Sequence, residues 1–219
     1  MPAHAWNTFA YHYNNGFDGY SLATQALWCD TAVPDDNHDI WAFGGRNYYF
    51  LEAIINGSSN NYIQVGVAEG KDFGWGFRDY FMGWYADGEG KYKKLGTASP
   101  ANTAINLEVT YLGSGNWVGN VYSYGTKWPG QTVNYGSDRI WYGRAVVRSN
   151  ECTGSTSHSN KVADKFKYAL YKNSAGSWYY WPWSQGSESG ISLDGCTYRS
   201  YVSGSLANNG TMEAYTYKW

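Results

Sequence analysis

Residues Ile105-Asn106-Leu107-Glu108-Val109-Thr110-Tyr111 alternate apolar and polar side chains with a period of two. That period belongs to a β-strand, whose successive side chains point to opposite faces, so one face is expected dry and the other wet. The chain turns through 112–115 and resumes as Asn116-Trp117-Val118-Gly119-Asn120-Val121-Tyr122, which predicts a hairpin. Strand-like runs recur at 20–28, 47–55, 62–67, 77–86, 104–111, 116–124, 140–148, 165–172, 178–183 and 212–218. Between them stand turn signals: Asn56-Gly57, Asp87-Gly88, Gly113-Ser114-Gly115 and the stretch 207–210. No sustained stripe repeats at helical spacing. The expectation is an all-β chain with almost no α-helix: an antiparallel β-sandwich of jelly-roll, concanavalin-like shape.

A sandwich of this length is commonly one unit, and no linker interrupts the sequence, so 1–219 reads as one domain. Residues 1–10 are expected to stand outside it as a flexible or added leader. The polar stretch 149–163 reads as a long surface loop. Formal net charge is −2 and no run of Lys or Arg exists, so nucleic acid is excluded as a partner. No apolar run reaches the roughly 20 residues of a membrane-spanning helix. Sparse Lys, abundant Ser, Thr, Asn and Gly, and the sequons Asn56-Gly57-Ser58 and Asn209-Gly210-Thr211 point to an exported protein. Ala3-His4-Ala5 has the small-x-small form of a signal-peptidase site without the apolar stretch before it, as if Met1 replaced a removed signal. In that compartment Cys152 and Cys196 are expected to form a disulfide, leaving Cys29 buried and free.

The usual catalytic signatures are missing. The four His residues are scattered without ligand spacing, so no metal is expected, nor any cofactor. Asp35, Asp36 and Asp39 read as a solvated acidic turn rather than a calcium site. No Gly-x-Ser-x-Gly elbow exists. What remains are carboxylates and amides on strands. In Tyr62-Ile63-Gln64-Val65-Gly66-Val67, Gln64 points to the face opposite Ile63 and Val65.

Ile63-Gln64-Val65-Gly66 resembles the strand of the glutamic peptidases (eqolisins) that carries their catalytic Gln, and the matching strand of the neprosin peptidases, which carries a Glu. The surroundings agree with the resemblance: residues 27–34, Ile40-Trp41-Ala42-Phe43-Gly44-Gly45, the aromatic segment 80–88, Gly115-Asn116-Trp117, Trp128-Pro129 and the strand 140–147. It implies two packed antiparallel sheets, a groove for an extended peptide, secretion, and action at acidic pH. It also implies a second catalytic Glu on the strand 140–147, where this chain offers Ile140 or Trp141. Without a carboxylate there, water has no base, and peptidase activity is expected to be weak or lost unless the acid comes from elsewhere. Asp138, just before that strand, is the nearest acidic candidate; Glu69 is another, and Glu52 and Glu108 read as solvent-side residues. The resemblance thus proposes Gln64 and Asp138 as the catalytic pair, with Trp84, Trp141, Trp75 and Tyr85 lining the groove.

Aromatic residues make up 19% of the chain, more than one core absorbs. The run Ser177-Trp178-Tyr179-Tyr180-Trp181-Pro182-Trp183 would put rings on both faces of one strand. Flat exposed rings hold sugar rings or extended chains. The expected ligand is therefore an extended polypeptide or a polysaccharide. Two other functions fit the same pattern, a carbohydrate-binding module or lectin, and a structural or toxin-like surface protein.

Overall fold

The structure is a computed structural model that describes residues 8–29, 46–56, 58, 60–72, 75–98, 103–149, 161–182, 185–190 and 198–218. Among them there is no α-helix, only a 3-10 turn at Ala207–Asn209, and no helix is long and apolar enough to cross a membrane. Strands are numbered along the chain. The first sheet has seven among the described residues, in the order β14 (Gln185–Gly190), β1 (Thr8–Gly19), β11 (Ile140–Ser149), β3 (Arg46–Ile55), β4 (Tyr62–Asp72), β5 (Trp75–Ala86) and β6 (Glu89–Thr97). The second has nine: β10 (Val133–Asn134), β8 (Asn116–Ser123), β7 (Thr103–Gly113), β2 (Ser21–Cys29), β12 (Lys161–Lys172), β16 (Thr211–Lys218) and β15 (Tyr198–Gly204), with β9 (Thr126–Pro129) on β8 and β13 (Trp178–Tyr180) on β12. The recorded pairings are antiparallel.

Period-two alternation builds the sandwich. Leu51, Ala53 and Ile55 of β3, Ile63, Val65 and Val67 of β4, and Met82 of β5 project toward the second sheet. They meet Leu22 and Ala26 of β2, Ile105, Leu107 and Val109 of β7, and Trp117 and Val121 of β8. Each of these side chains is removed from water, and each of the larger ones contributes on the order of 1.5–3 kcal/mol, the alanines less. Gly119 lets the sheets approach: a Cβ there would lie 3.2 Å from Ile63 and Val65. The 105–122 hairpin is the best match between pattern and fold, with Ile105, Leu107 and Val109 inward and Asn106, Glu108 and Thr110 outward.

The pattern understated the strands. Strand β1 begins at Thr8, inside the stretch expected to be a leader, and it pairs with both β11 and β14. Strand β12 begins at Lys161, so the expected loop 149–163 is strand at both ends. Strand β6, with its three Lys residues, has no apolar alternation; it forms because its backbone completes the ladder on β5. The aromatic run stops being a strand at Tyr180, and Trp181 turns into the core, fully buried. Cys29 ends β2 opposite Ala163, while Cys152, Cys196, Asp35, Asp36 and Asp39 lie outside the described residues.

One polar contact pins the hairpin strand β10 to the first sheet. The Tyr135 hydroxyl lies 2.7 Å from the Tyr62 carbonyl and 3.0 Å from the Tyr85 carbonyl and shares its single proton between them. Burial, ahead of any charge, holds its proton well above the ordinary tyrosine range. Tyr135→Phe is expected to lower stability by about 1 kcal/mol, read from the urea midpoint. The pH dependence has a definite sign. The folded protein keeps a proton that the unfolded chain releases near pH 10, so stability holds below about pH 10 and falls as pH rises further. Tyr122, held up to about 12 by burial and then by the charge of Glu108, acts in the same direction. The Phe variant should show a shallower alkaline decline than the wild type.

Candidate active site

The outward face of the first sheet carries an uninterrupted cross-strand row: Arg144 (β11) pairs with Glu52 (β3), Glu52 with Gln64 (β4), Gln64 with Gly83 (β5), and Gly83 with Tyr92 (β6). Directly paired side chains share a face and stand close together, so the ladder register alone brings these residues into contact. Gln64 Nε2 donates to Glu52 Oε2 at 2.7 Å. Arg144 Nε stands 2.8 Å from Glu52 Oε1. That second contact is ionic: the guanidinium N–H does not aim at Oε1, which accepts no hydrogen bond among the described residues. Arg144 also donates from Nη2 to the Tyr142 hydroxyl at 2.8 Å, and its guanidinium lies over that ring.

Apolar rows flank the polar one. On one side Val146, Phe50 and Phe81 form a small buried cluster with Ala68, and the Tyr92 ring stacks on Phe81 at 5.5 Å. On the other side come Tyr142, Ile54, Tyr62 and Tyr85, the last two with ring centroids 6.1 Å apart. Glu52 is therefore only 7% exposed, although it lies on the outward face. A carboxylate costs several kcal/mol to desolvate unless partners offset it, and here Gln64 and Arg144 are those partners. Gly83 is the gap in the row. A Cβ at that position would lie 3.2 Å from Gln64 Oε1, so glycine keeps the amide approachable from the β5 side.

The expected site residues separate. Gln64 faces outward as its strand pattern predicts, half-buried. The acidic partner within reach is Glu52 rather than Asp138. Asp138 is exposed and accepts from the Tyr20 hydroxyl at 3.3 Å; its negative charge first, and the hydrogen bond after it, raise the tyrosine's pKa. Glu52 corrects the solvent-side reading: its flanking residues Phe50 and Ile54 bury the outward face around it. Trp84 pairs with Ile63 and packs on the inter-sheet core, so it does not line the face that Gln64 occupies. The strand's parity decides this, since Gly83 takes the outward position. Tyr85 does share the face of Gln64, and its hydroxyl donates to the Gly88 carbonyl at 2.8 Å. Trp141 is the bulged residue between the Ile140–Ile55 and Tyr142–Ile54 pairs and stands 51% exposed. Trp75 opens β5 opposite Asp72. Sequence reasoning missed Arg144, Tyr92 and Gly83. The available signal was Glu52 itself, a lone carboxylate in the otherwise apolar run Tyr49-Phe50-Leu51-Glu52-Ala53-Ile54-Ile55.

The arrangement has the parts for water activation: a carboxylate, an amide with a second N–H to offer, and a guanidinium that balances the charge. Among the described residues no three His, Cys, Asp or Glu side chains converge to hold a metal.

Known structures share this fold. The chain resembles Scytalido-glutamic peptidase, solved with a peptide-based transition-state analogue, at a TM-score of 0.57 and 15% identity, over 94% of this chain and 97% of that one. It also resembles SCP-B, a member of the Eqolisin family solved with the tripeptide Ala-Ile-His, at a TM-score of 0.55 and 13% identity, over 94% and 96%. No protein-family profile and no curated protein sequence matches the chain. The fold is a glutamic-peptidase-like β-sandwich.

Proposed function

We propose that, on this glutamic-peptidase-like scaffold, the outward face of the seven-stranded sheet binds an extended polypeptide and that Glu52 and Gln64 hydrolyse it outside the cell. The observation that carries the proposal is the 2.7 Å contact between Gln64 Nε2 and Glu52 Oε2. It supplies the acid that the strand 140–147 lacks, from β3 instead. Glu52 takes a proton from water as the water attacks the scissile carbonyl, and returns it to the leaving amine. The Gln64 amide donates to the oxygen on which negative charge develops. Arg144 stays at Glu52 throughout and holds it in place. The polypeptide crosses above Gly83, with the Phe81–Tyr92 stack on one side and Tyr62 and Tyr85 on the other. Export is supported by the sequence features alone.

One observation favours binding without turnover. Arg144 already engages one carboxylate oxygen and Gln64 the other, so a water would have to compete with both for the place beside Glu52. Casein digestion at about pH 4 separates the two. If the dyad works, wild-type protein cleaves casein, and both Glu52→Gln and Gln64→Ala reduce the rate about 100-fold or more. If wild-type protein cleaves nothing yet retains a fluorescent casein peptide, and Tyr92→Ala releases it, the face is a binding surface. Turnover that survives Gln64→Ala would place the chemistry elsewhere.

A further inference from the structure

The outward face of the nine-stranded sheet, on the opposite side of the sandwich, carries a second constellation that the proposed peptidase chemistry does not use. Tyr180 (β13) pairs with Leu170 (β12), Leu170 with Ala23 (β2), and Ala23 with Glu108 (β7), which puts all four on one face. Trp178 pairs with Lys172 in the adjacent row, and the Lys172 ammonium sits 5.8 Å from the centre of the Trp178 ring. Trp178 is 40% exposed and Tyr180 44%. Neither ring is needed for the core, because Trp181 supplies the buried aromatic of this segment.

The other end of the face is polar and already ordered. Glu108 accepts from the Thr110 hydroxyl and from Tyr122. Two carboxylate oxygens offer about four acceptor positions, so acceptor capacity remains. Gln25 and Asn106 pair across β2 and β7 and join their amides at 3.1 Å, leaving further donors and acceptors at the surface. Between the Tyr180 ring and the Glu108 carboxylate the row holds only Leu170 and Ala23, a low floor spanning three strand steps, about 14 Å at roughly 4.8 Å each.

We propose that this face binds a neutral polysaccharide. A pyranose presents an apolar C–H face and a rim of hydroxyls. The C–H face suits a flat exposed ring such as Tyr180 or Trp178, which keeps a polar edge in water. The hydroxyl rim suits a fixed carboxylate and paired amides, which accept and donate at short range. A protein partner would call for a contiguous apolar centre with a polar rim. Here the aromatic and polar groups lie side by side instead. Glu108 repels uronates and sulfated sugars at the polar end of the row, while Lys172 beside Trp178 makes the anionic polymer the necessary control. The site stands on the second sheet and is independent of the Glu52–Gln64 chemistry.

Affinity electrophoresis in native gels containing soluble mixed-linkage β-glucan, arabinoxylan or galactomannan tests it, with polygalacturonate as the anionic arm. The expected result is retardation by at least one neutral polymer and none by polygalacturonate. Trp178→Ala and Tyr180→Ala, both at exposed positions, should each weaken retention about 10-fold or more, the scale of one lost stacking contact. Glu108→Gln should weaken it as well, while Gln64→Ala should leave it unchanged. Absence of retardation by all three neutral polymers overturns the proposal, as does retention that survives the Trp178→Ala/Tyr180→Ala double variant. A concentration-dependent dimer in sedimentation that Trp178→Ala abolishes would also overturn it, by assigning the face to a second copy of the chain.

Discussion

Replacing Glu52 by Leu is expected to destabilise the protein by about 2–3 kcal/mol, and most of that loss should return when Arg144 is replaced by Met in the same chain. The side chain of Glu52 is 9% exposed and that of Arg144 28%, so the pair is largely out of water. Removing the carboxylate leaves a guanidinium held among apolar neighbours and a Gln64 amide without its acceptor. The amide loses its acceptor, and the guanidinium loses its counter-charge though it keeps the Tyr142 hydroxyl, which is the costly case. Removing both charges leaves a well-filled apolar surface continuous with Phe50 and Ile54, and only the Gln64 deficit of about 1 kcal/mol remains. The partial exposure of Arg144 keeps the effect below the top of the range for fully buried pairs. Urea unfolding of the wild type, both single variants and the double variant gives the coupling energy directly. A value under about 0.5 kcal/mol is what a solvent-screened surface pair yields, and it would show that the row is not held together by charge.

Gly66→Ala is expected to be worse, at about 3–5 kcal/mol, enough to prevent folding in a marginally stable domain. A Cβ at Gly66 would lie 1.9 Å from the Tyr49 carbonyl oxygen and 2.7 Å from Phe50 Cα. Both are backbone atoms of the neighbouring strand, so no rotamer change relieves the clash, and β3 would have to move off β4. Gly66 pairs with Phe50, two steps along the ladder from the Glu52–Gln64 pair and on the same face, so the same movement would pull the site apart. Gly113→Ala is the useful contrast. That residue has φ of +97° and open space around it, so it pays only for the left-handed backbone, about 1–2 kcal/mol. Thermal melts of the two variants should differ widely. Similar losses would mean that β3 and β4 have more freedom than their register implies.

The fold class was legible in the order of the residues alone. Alternation in 105–111 and 116–122 assigns a face to every residue, because a strand has only two faces, and the hairpin formed with that assignment intact. The outward direction of Gln64 was legible for the same reason. Turn residues were legible where Asn, Asp or a Gly-flanked Ser takes the positive φ, as at Asn56, Asp87 and Ser114, but not at Tyr124 or Tyr168, whose side chains give no such signal. Strands whose side chains do not alternate were not legible. Strand β6 is held by its neighbour's backbone, and backbone hydrogen bonding leaves no mark in a sequence.

The candidate site exists only once strands far apart in the chain become neighbours. Glu52 and Gln64 are 12 residues apart, and Arg144 lies 80 residues beyond Gln64. No local period relates them. They meet because β11, β3 and β4 are neighbours in one sheet and in one register, and a slip of a single residue would turn each to the other face. Strand order also decided what Glu52 is. In the sequence it is a charged residue on a strand, which reads as solvent-facing. In the sheet its outward neighbours are Phe50, Ile54 and Gln64, and Arg144 stands across from it, so it becomes a buried acid with two partners. Burial depends on what the neighbouring strands place beside a residue, and those strands are chosen by long-range pairing across the whole chain.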